Sequence, residues 1–315
     1  MNTRSAVHSD SLSKALVWSL QDVEQRFGFR GGRFTQCNGL FTMLLGIVFS
    51  CVFYAIIVFV LATIPATQFI SKMFLRPDNL PAVIPITLLF FWSVAMLLVK
   101  LTKLDLQTAA LQLSAVPHEP EFTLTEDTAR TVLERVHSAV DHPRHFVLLN
   151  RIECALSNLS NIGQVSDVSS ILRSQAENDE DMVSSSYGLV NGFVWAMPVL
   201  GFIGTVLGLS VAIGAFGSTL ASSADLGTIK SSLQGVVGGL STAFETTLIA
   251  LVGSLMVQLG VTFMQQRELS FLDDCNDYCQ VYVISKLRLK DRLASPTSDA
   301  KQPTPAAIPQ GQSYR

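Results

Sequence analysis

Charge is what this sequence has least of. Of its 315 residues only 15% are Asp, Glu, Lys or Arg, against 49% hydrophobic, and the mean hydropathy is +0.39. A soluble domain carries about 25% charged residues, so the deficit argues against a soluble enzyme and more strongly against a disordered chain. An excess of either sign is missing too. The net charge of −3 gives no electrostatic footprint for nucleic acid. Cysteine is sparse: Cys37, Cys51, Cys154, Cys275 and Cys279 all fall in apolar runs or on the side expected to face the cytoplasm, where disulfides are not expected. Cys275 and Cys279 are one helical turn apart and read as small apolar residues. No secretory leader is expected, because residues 1–33 are polar and the apolar run that follows is too long for one.

The missing charge is concentrated in four windows. Residues 34–71, 79–99 and 182–224 carry none, and 231–266 carries only Glu245. About 20 apolar residues of helix cross a bilayer core. The windows therefore predict an all-α membrane protein with four transmembrane helices, near 41–64, 82–100, 188–216 and 237–263. Nineteen of the 22 Lys and Arg lie in 1–40, 100–186 and 265–315; only Lys72, Arg76 and Lys230 lie in the other two connections. The positive-inside rule then puts both termini and the long connection in the cytoplasm. The expected organisation is a cytoplasmic amphipathic segment (1–40), two outer spans (41–100), a cytoplasmic helical domain (101–186), two pore-lining spans (187–264), a cytoplasmic helix (265–293) and a disordered tail (294–315).

Periodicity fills in the polar parts. Leu12, Leu16, Leu20, Val23 and Phe27 form a stripe opposite Asp22, Glu24 and Arg26. Two readings fit it equally: a helix lying on the inner membrane surface, or one packed on the cytoplasmic domain. In the long connection, helices are expected at Thr125–Val140, stopped by Pro143, at 145–160, and from Asp167 toward the third span. The run Glu177, Asp179, Glu180, Asp181 reads as a solvated helix face. His137, Asp141, His142 and His145 have metal-ligand chemistry, but Pro143 breaks any shared face, and a charged helix end is the better reading. Helix is expected again over 265–292, closed by Lys286, Arg288, Lys290 and Arg292.

The first two spans are bulky all round, which suits lipid contact. The last two are not. In WAMPVLGFIGTVLGLSVAIGAFG (195–217), Gly201, Gly204, Gly208, Ala212 and Ala215 recur every three or four residues and allow close helix approach. Thr205 lies in that strip, and Pro198 can open the helix near one end. In GGLSTAFETTLIALVGSLMVQLG (238–260), Ala243, Thr247, Ala250, Ser254 and Gln258 share a face. Small and hydroxylated residues there mean either tight packing, with hydroxyls bonded to their own backbone, or a wettable pore lining. The pairing of Thr205 with Thr247 favours the lining. Glu245, about 160° from Thr247 on the helix, carries protons or gates, or bonds another helix, or lies near the outer end within reach of water. The candidate pathway residues are thus Thr205, Glu245, Thr246, Thr247 and Ser254. The candidate packing residues are Pro198, Gly201, Gly204, Gly208 and Ala243.

These two segments resemble the MotA/TolQ/ExbB proton-channel family, whose pattern P-x-x-G-x-x-G-T-V-x-G is met by Pro198, Gly201, Gly204, Thr205, Val206 and Gly208. Its later pattern A-[LF]-x-x-T-x-x-[GA]-L is met by Ala243, Phe244, Thr247, Ala250 and Leu251. The resemblance covers about 190–260. It implies a homopentameric ring in the bacterial inner membrane around a single-span partner of the MotB/ExbD/TolR type. Protons would pass between the partner's intramembrane Asp and threonines like Thr205 and Thr247, driving mechanical work. No covalent chemistry and no cofactor are implied. Four spans with both termini inside are similar to MotA, whereas the motif text is nearer TolQ and ExbB. Thr242 stands where many relatives have an acid, and Glu245 is extra, so the subfamily stays open. The competing expectation is a non-conducting oligomeric scaffold. No Ser/His/Asp or metal constellation points to an enzyme, and no internal repeat points to a transporter.

Overall fold

A computed structural model describes residues 18–288 except 30, 62–67, 78, 114, 118, 120, 158, 160–164 and 222–224. Among the described residues, four helices are long and apolar enough to cross a membrane. Helix α1 (Gly39–Ile56) is capped by Asn38, whose Oδ1 accepts from Leu40 N at 3.0 Å. It continues as one wider turn, Ile57–Leu61. A short helix α2 (Gln68–Leu75) leads to α3 (Leu80–Leu111). The polar helices α4 (Glu126–Ala139), α5 (Val147–Ser157) and α6 (Val165–Ser185) follow. A two-residue break then opens α7 (Gly188–Ala221), and α8 (Leu226–Tyr278) returns antiparallel to it. The polar helices match the periodicity closely: Thr125 caps α4, and Val140 ends it.

The longest contact in the bundle is between α7 and α8, and α3 packs on both as well as on α1. Side-chain size explains the arrangement. Gly46 lets α1 lie on the backbone of Trp92, 2.6 Å from where a Cβ would stand. Trp92 Nε1 then donates to Thr42 Oγ1 at 3.2 Å. Ala95, Met96, Val83 and Ile86 of α3 are buried, so one side of the second span packs on the rest of the subunit. Gly204 of α7 faces Ala82 in the first turn of α3. At 1.5 Å per residue, α7 therefore runs on for about 25 Å past that level before turning into α8. We call this the hairpin end, and the opposite one, where α4, α5 and α6 gather, the basal end.

The basal end departs from expectation in three ways. In the stripe over 12–28, Leu12, Leu16 and the rest of 1–17 lie outside the described residues; the remainder is two short turns, Trp18–Gln21 and Val23–Arg26. Its polarity is inverted: Phe27 is 67% exposed, while Asp22 and Glu24 are buried. The reason is Lys103 of α3, whose Nζ sits 2.6 Å from Glu24 Oε2 and 3.7 Å from Asp22 Oδ1. The segment packs on the polar domain, with the Trp18 ring edge-on to Phe146. Second, the acidic run of α6 is not all solvated: Asp179 is buried against Arg151 at 2.7 Å. Third, α8 ends as a wide turn at Ile284, short of the expected residue 292. There Leu287 pairs with Leu124 instead, through Leu124 N to Lys286 O (2.8 Å) and Arg288 N to Leu124 O (2.9 Å). Residues 289–315 lie outside the described part.

Candidate functional site: a hydroxyl pair between the last two spans

The close approach of α7 and α8 rests on positions that carry little or no side chain. A Cβ on Gly201 would stand 2.5 Å from Ala250 Cβ, and one on Gly204 would stand 2.8 Å from Ala82 Cβ and 3.1 Å from Thr246 Oγ1. Gly239, which the sequence reading did not single out, meets Ala212 Cβ at 2.5 Å. Gly208 differs: its nearest neighbour is Gly239 O at 3.7 Å, so it has room for a methyl group. Ala243 is fully buried.

This approach brings Thr205 and Thr247 into direct hydroxyl contact across the helix pair. Each hydroxyl also reaches two carbonyls. Thr205 Oγ1 is 3.1 Å from Gly201 O on its own helix and 3.2 Å from Ala243 O on the other. Thr247 Oγ1 is 3.2 Å from Gly201 O across the interface and 3.4 Å from Ala243 O on its own helix. Each hydroxyl thus bonds a carbonyl of its own helix, as the packing reading expects, and also faces its partner. A hydroxyl has one proton and two lone pairs, so either threonine can accept from the other while donating to a carbonyl. Both are half-buried. The pair can exchange donor and acceptor roles without moving a charge, which a Val or Ala in either place could not do.

The other candidate pathway residues are not at this contact. Thr246 is buried against Gly204, with its Oγ1 donating to Ala243 O at 2.9 Å. Ser254 lies about two turns toward the basal end, and its role follows from Pro198. Proline has no N–H to give the carbonyl four residues back, which here is Val194 O. Ser254 Oγ donates to that carbonyl at 2.8 Å. The opening that Pro198 makes in α7 is thus closed from α8. Glu245 turns away from the pair: Arg76 Nη1 is 3.2 Å from its Oε2, and Asn79 Nδ2 donates to the same oxygen at 3.0 Å. Beside these groups, a cleft of about 1000 Å³ runs along α7 and α8 between Gly204, Gly208, Ala212, Gly235, Gly239 and Thr242.

Sequence reasoning missed the buried ion pairs at the basal end. Lys100 Nζ donates to Ser186 Oγ (2.8 Å) and to Glu268 Oε1 (3.1 Å), and it lies 4.1 Å above the Tyr187 ring. Tyr187 donates to Glu268 Oε2 at 2.6 Å. All this falls at the break between α6 and α7. Lys103 donates to Glu24 and to Gln36 O, 2.7 Å away, and Arg151 joins α5 to Asp179 of α6 and Asn276 of α8. Burial raises the Asp22 and Asp179 carboxyls above their ordinary range, against the pull of Lys103 and Arg151 respectively. The one signal available was a pair of lysines at the edge of a span three residues apart. Of the histidine group, His145 tilts over Trp18 and lies 5.6 Å from the His142 ring. Among the described residues, no group of three or more His, Cys, Asp or Glu is set to hold a metal ion.

Four apolar helices, the last two joined along a glycine seam with a hydroxyl pair in it, define a multi-pass helical membrane protein. Residues 141–274, from the connection before α5 to near the end of α8, match the MotA/TolQ/ExbB proton channel family, and over that segment the chain is similar to it. That match and the four apolar helices together support a multi-pass membrane protein. No curated protein and no solved structure matches the chain.

Proposed function

We propose that this chain is the proton-conducting subunit of an ion-driven motor in the inner membrane, with both termini and the basal helices in the cytoplasm. It would act as a homo-oligomer, a pentamer by resemblance, around a single-span partner of the MotB/ExbD/TolR type. The observation that carries this reading is the Thr205–Thr247 contact, which lies inside the segment that matches the family. The partner's intramembrane Asp would titrate. Its proton would meet a hydroxyl pair able to accept on one oxygen and donate from the other, with Gly201 O and Ala243 O holding both in place. Apolar side chains such as Phe202, Val206, Leu248 and Leu251 are exposed on the single chain, which supports further helices packing on these faces.

The test is gentle detergent extraction of the tagged protein, followed by native mass spectrometry. The reading expects a homo-oligomer that retains a small single-span protein with an acid in its membrane segment. A homo-oligomer without such a partner in several detergents would favour the scaffold, in which the hydroxyls only pack helices.

A further inference from the structure

Glu245 is the only acid in the apolar stretch of α8, and the structure surrounds it with donors. Arg76 Nη1 reaches Oε1 at 3.3 Å and Oε2 at 3.2 Å. Asn79 Nδ2 donates to Oε2 at 3.0 Å, and Ser241 Oγ donates to Oε1 at 3.4 Å. Guanidinium and amide N–H groups can only donate, so this cage suits a carboxylate that accepts on both oxygens. Of these groups only the Ser241 hydroxyl could also accept. The same Nη1 also donates to Thr242 Oγ1 at 3.0 Å, so Arg76 grips α8 at two positions three residues apart. Asn79 is fully buried and also donates to Met73 O at 3.3 Å, which ties the grip to α2. The side chains of Arg76 and Glu245 are 34% and 14% exposed. The pair is therefore within reach of solvent, unlike the basal ion pairs. It sits two residues from Thr247, on the opposite side of the helix, and at the start of α3, where Gly204 meets Ala82.

We propose that Arg76 and Glu245 form a latch within the subunit: a positioning pair that fixes the rotation of α8 about its axis and so holds Thr247 against Thr205. Glu245 then holds Arg76 rather than relaying protons. Its charge is spent on Arg76, and a rotation of α8 by the 100° between adjacent residues would break both the latch and the hydroxyl contact. The inference rests on the proton-relay reading for its functional effect, but its geometric effect can be read separately.

The test uses two readouts. One is proton flux in inverted vesicles of the native host membrane. The other is the yield of the disulfide in a Thr205→Cys/Thr247→Cys protein, identified by mass spectrometry. Glu245→Gln sets an amide donor against the Asn79 and Arg76 donors. It and Arg76→Gln should each lower flux roughly fivefold or more and lower the disulfide yield, as expected for coupling between neighbouring groups. The reversed pair, Arg76→Glu with Glu245→Arg, should recover both. If Glu245→Gln abolishes flux, leaves the disulfide yield unchanged and is not rescued by the reversal, Glu245 is a carrier and the latch is wrong. The latch is equally wrong if neither variant alters the disulfide yield. If Thr247→Val keeps full flux, the relay reading falls instead, while the disulfide yield still reports on the latch.

Discussion

The two ends of the helix bundle solve opposite problems. At the basal end, Lys100, Lys103 and Arg151 are buried with their carboxylates, and each joins at least two helices or segments. From the middle of the bundle toward the hairpin end, the helices meet through glycines and two neutral hydroxyls. A buried ion pair has one good geometry, and removing either partner strands a charge. A hydroxyl pair has several geometries of similar energy, because either oxygen can donate. The first arrangement holds one geometry, and the second admits a change of hydrogen-bond direction. Lys100 pairs at the break between α6 and α7, so the fixed end also anchors the start of the helix that carries Thr205.

That contrast can be broken most severely at the fixed end. Lys100→Met should leave Glu268 buried without its cation and destabilise the protein by about 3 to 5 kcal/mol, read as loss of the folded subunit in detergent on heating. Lys100→Met with Glu268→Leu should recover most of that loss. A single variant as stable as the wild type would show that the pair holds nothing. The glycine seam comes next. Gly201→Val drives a side chain into Ala250 and should cost about 1 to 3 kcal/mol as overpacking, whereas Gly208→Ala, with 3.7 Å of clearance, should be close to neutral in the same assay. Ser254→Ala orphans the Val194 carbonyl that Pro198 leaves open, at about 1 kcal/mol. Adding Pro198→Ala should recover this, since alanine at that position restores the missing N–H.

The smallest effect concerns His145. Burial, helped by the nearby His142, lowers its pKa below the ordinary 6.5. The unfolded chain therefore takes up a proton there before the folded one does. Its contribution to stability is complete above pH 6.5 and falls as the pH drops from there to the lowered folded value, with no further change below. The slope of melting temperature against pH in that window should flatten in His145→Phe.

The hairpin-end site was largely legible in the sequence, because close helix approach needs small residues and small residues leave a pattern. Gly201, Gly204, Thr205, Ala243 and Thr247 announce themselves by spacing, and of their contacts the pairing of Thr205 with Thr247 was already expected. The fixed end was not legible. Lys100 and Glu268 are 168 residues apart, and Glu24 lies 79 residues from Lys103. Nothing local marks an ion pair of that reach, and periodicity alone assigned Asp22 and Glu24 to the wrong face. Glu245 was visible as an anomaly, but its partner Arg76 sat in a connection read only for orientation. The early end of α8 depended on Leu124, whose pairing with Leu287 no periodicity predicts. Sequence pattern finds contacts made by the absence of side chains more readily than contacts made by charges meeting across the fold.

The most direct test is proton flux in native membrane vesicles carrying Thr247→Val, beside Thr247→Ser. Valine keeps the shape and removes the hydroxyl; serine keeps the hydroxyl. Assembly should be unchanged in both, with flux lost in the valine variant and retained in the serine variant. Wild-type flux through the Thr247→Val protein would contradict the hydroxyl relay and leave the pair a packing contact.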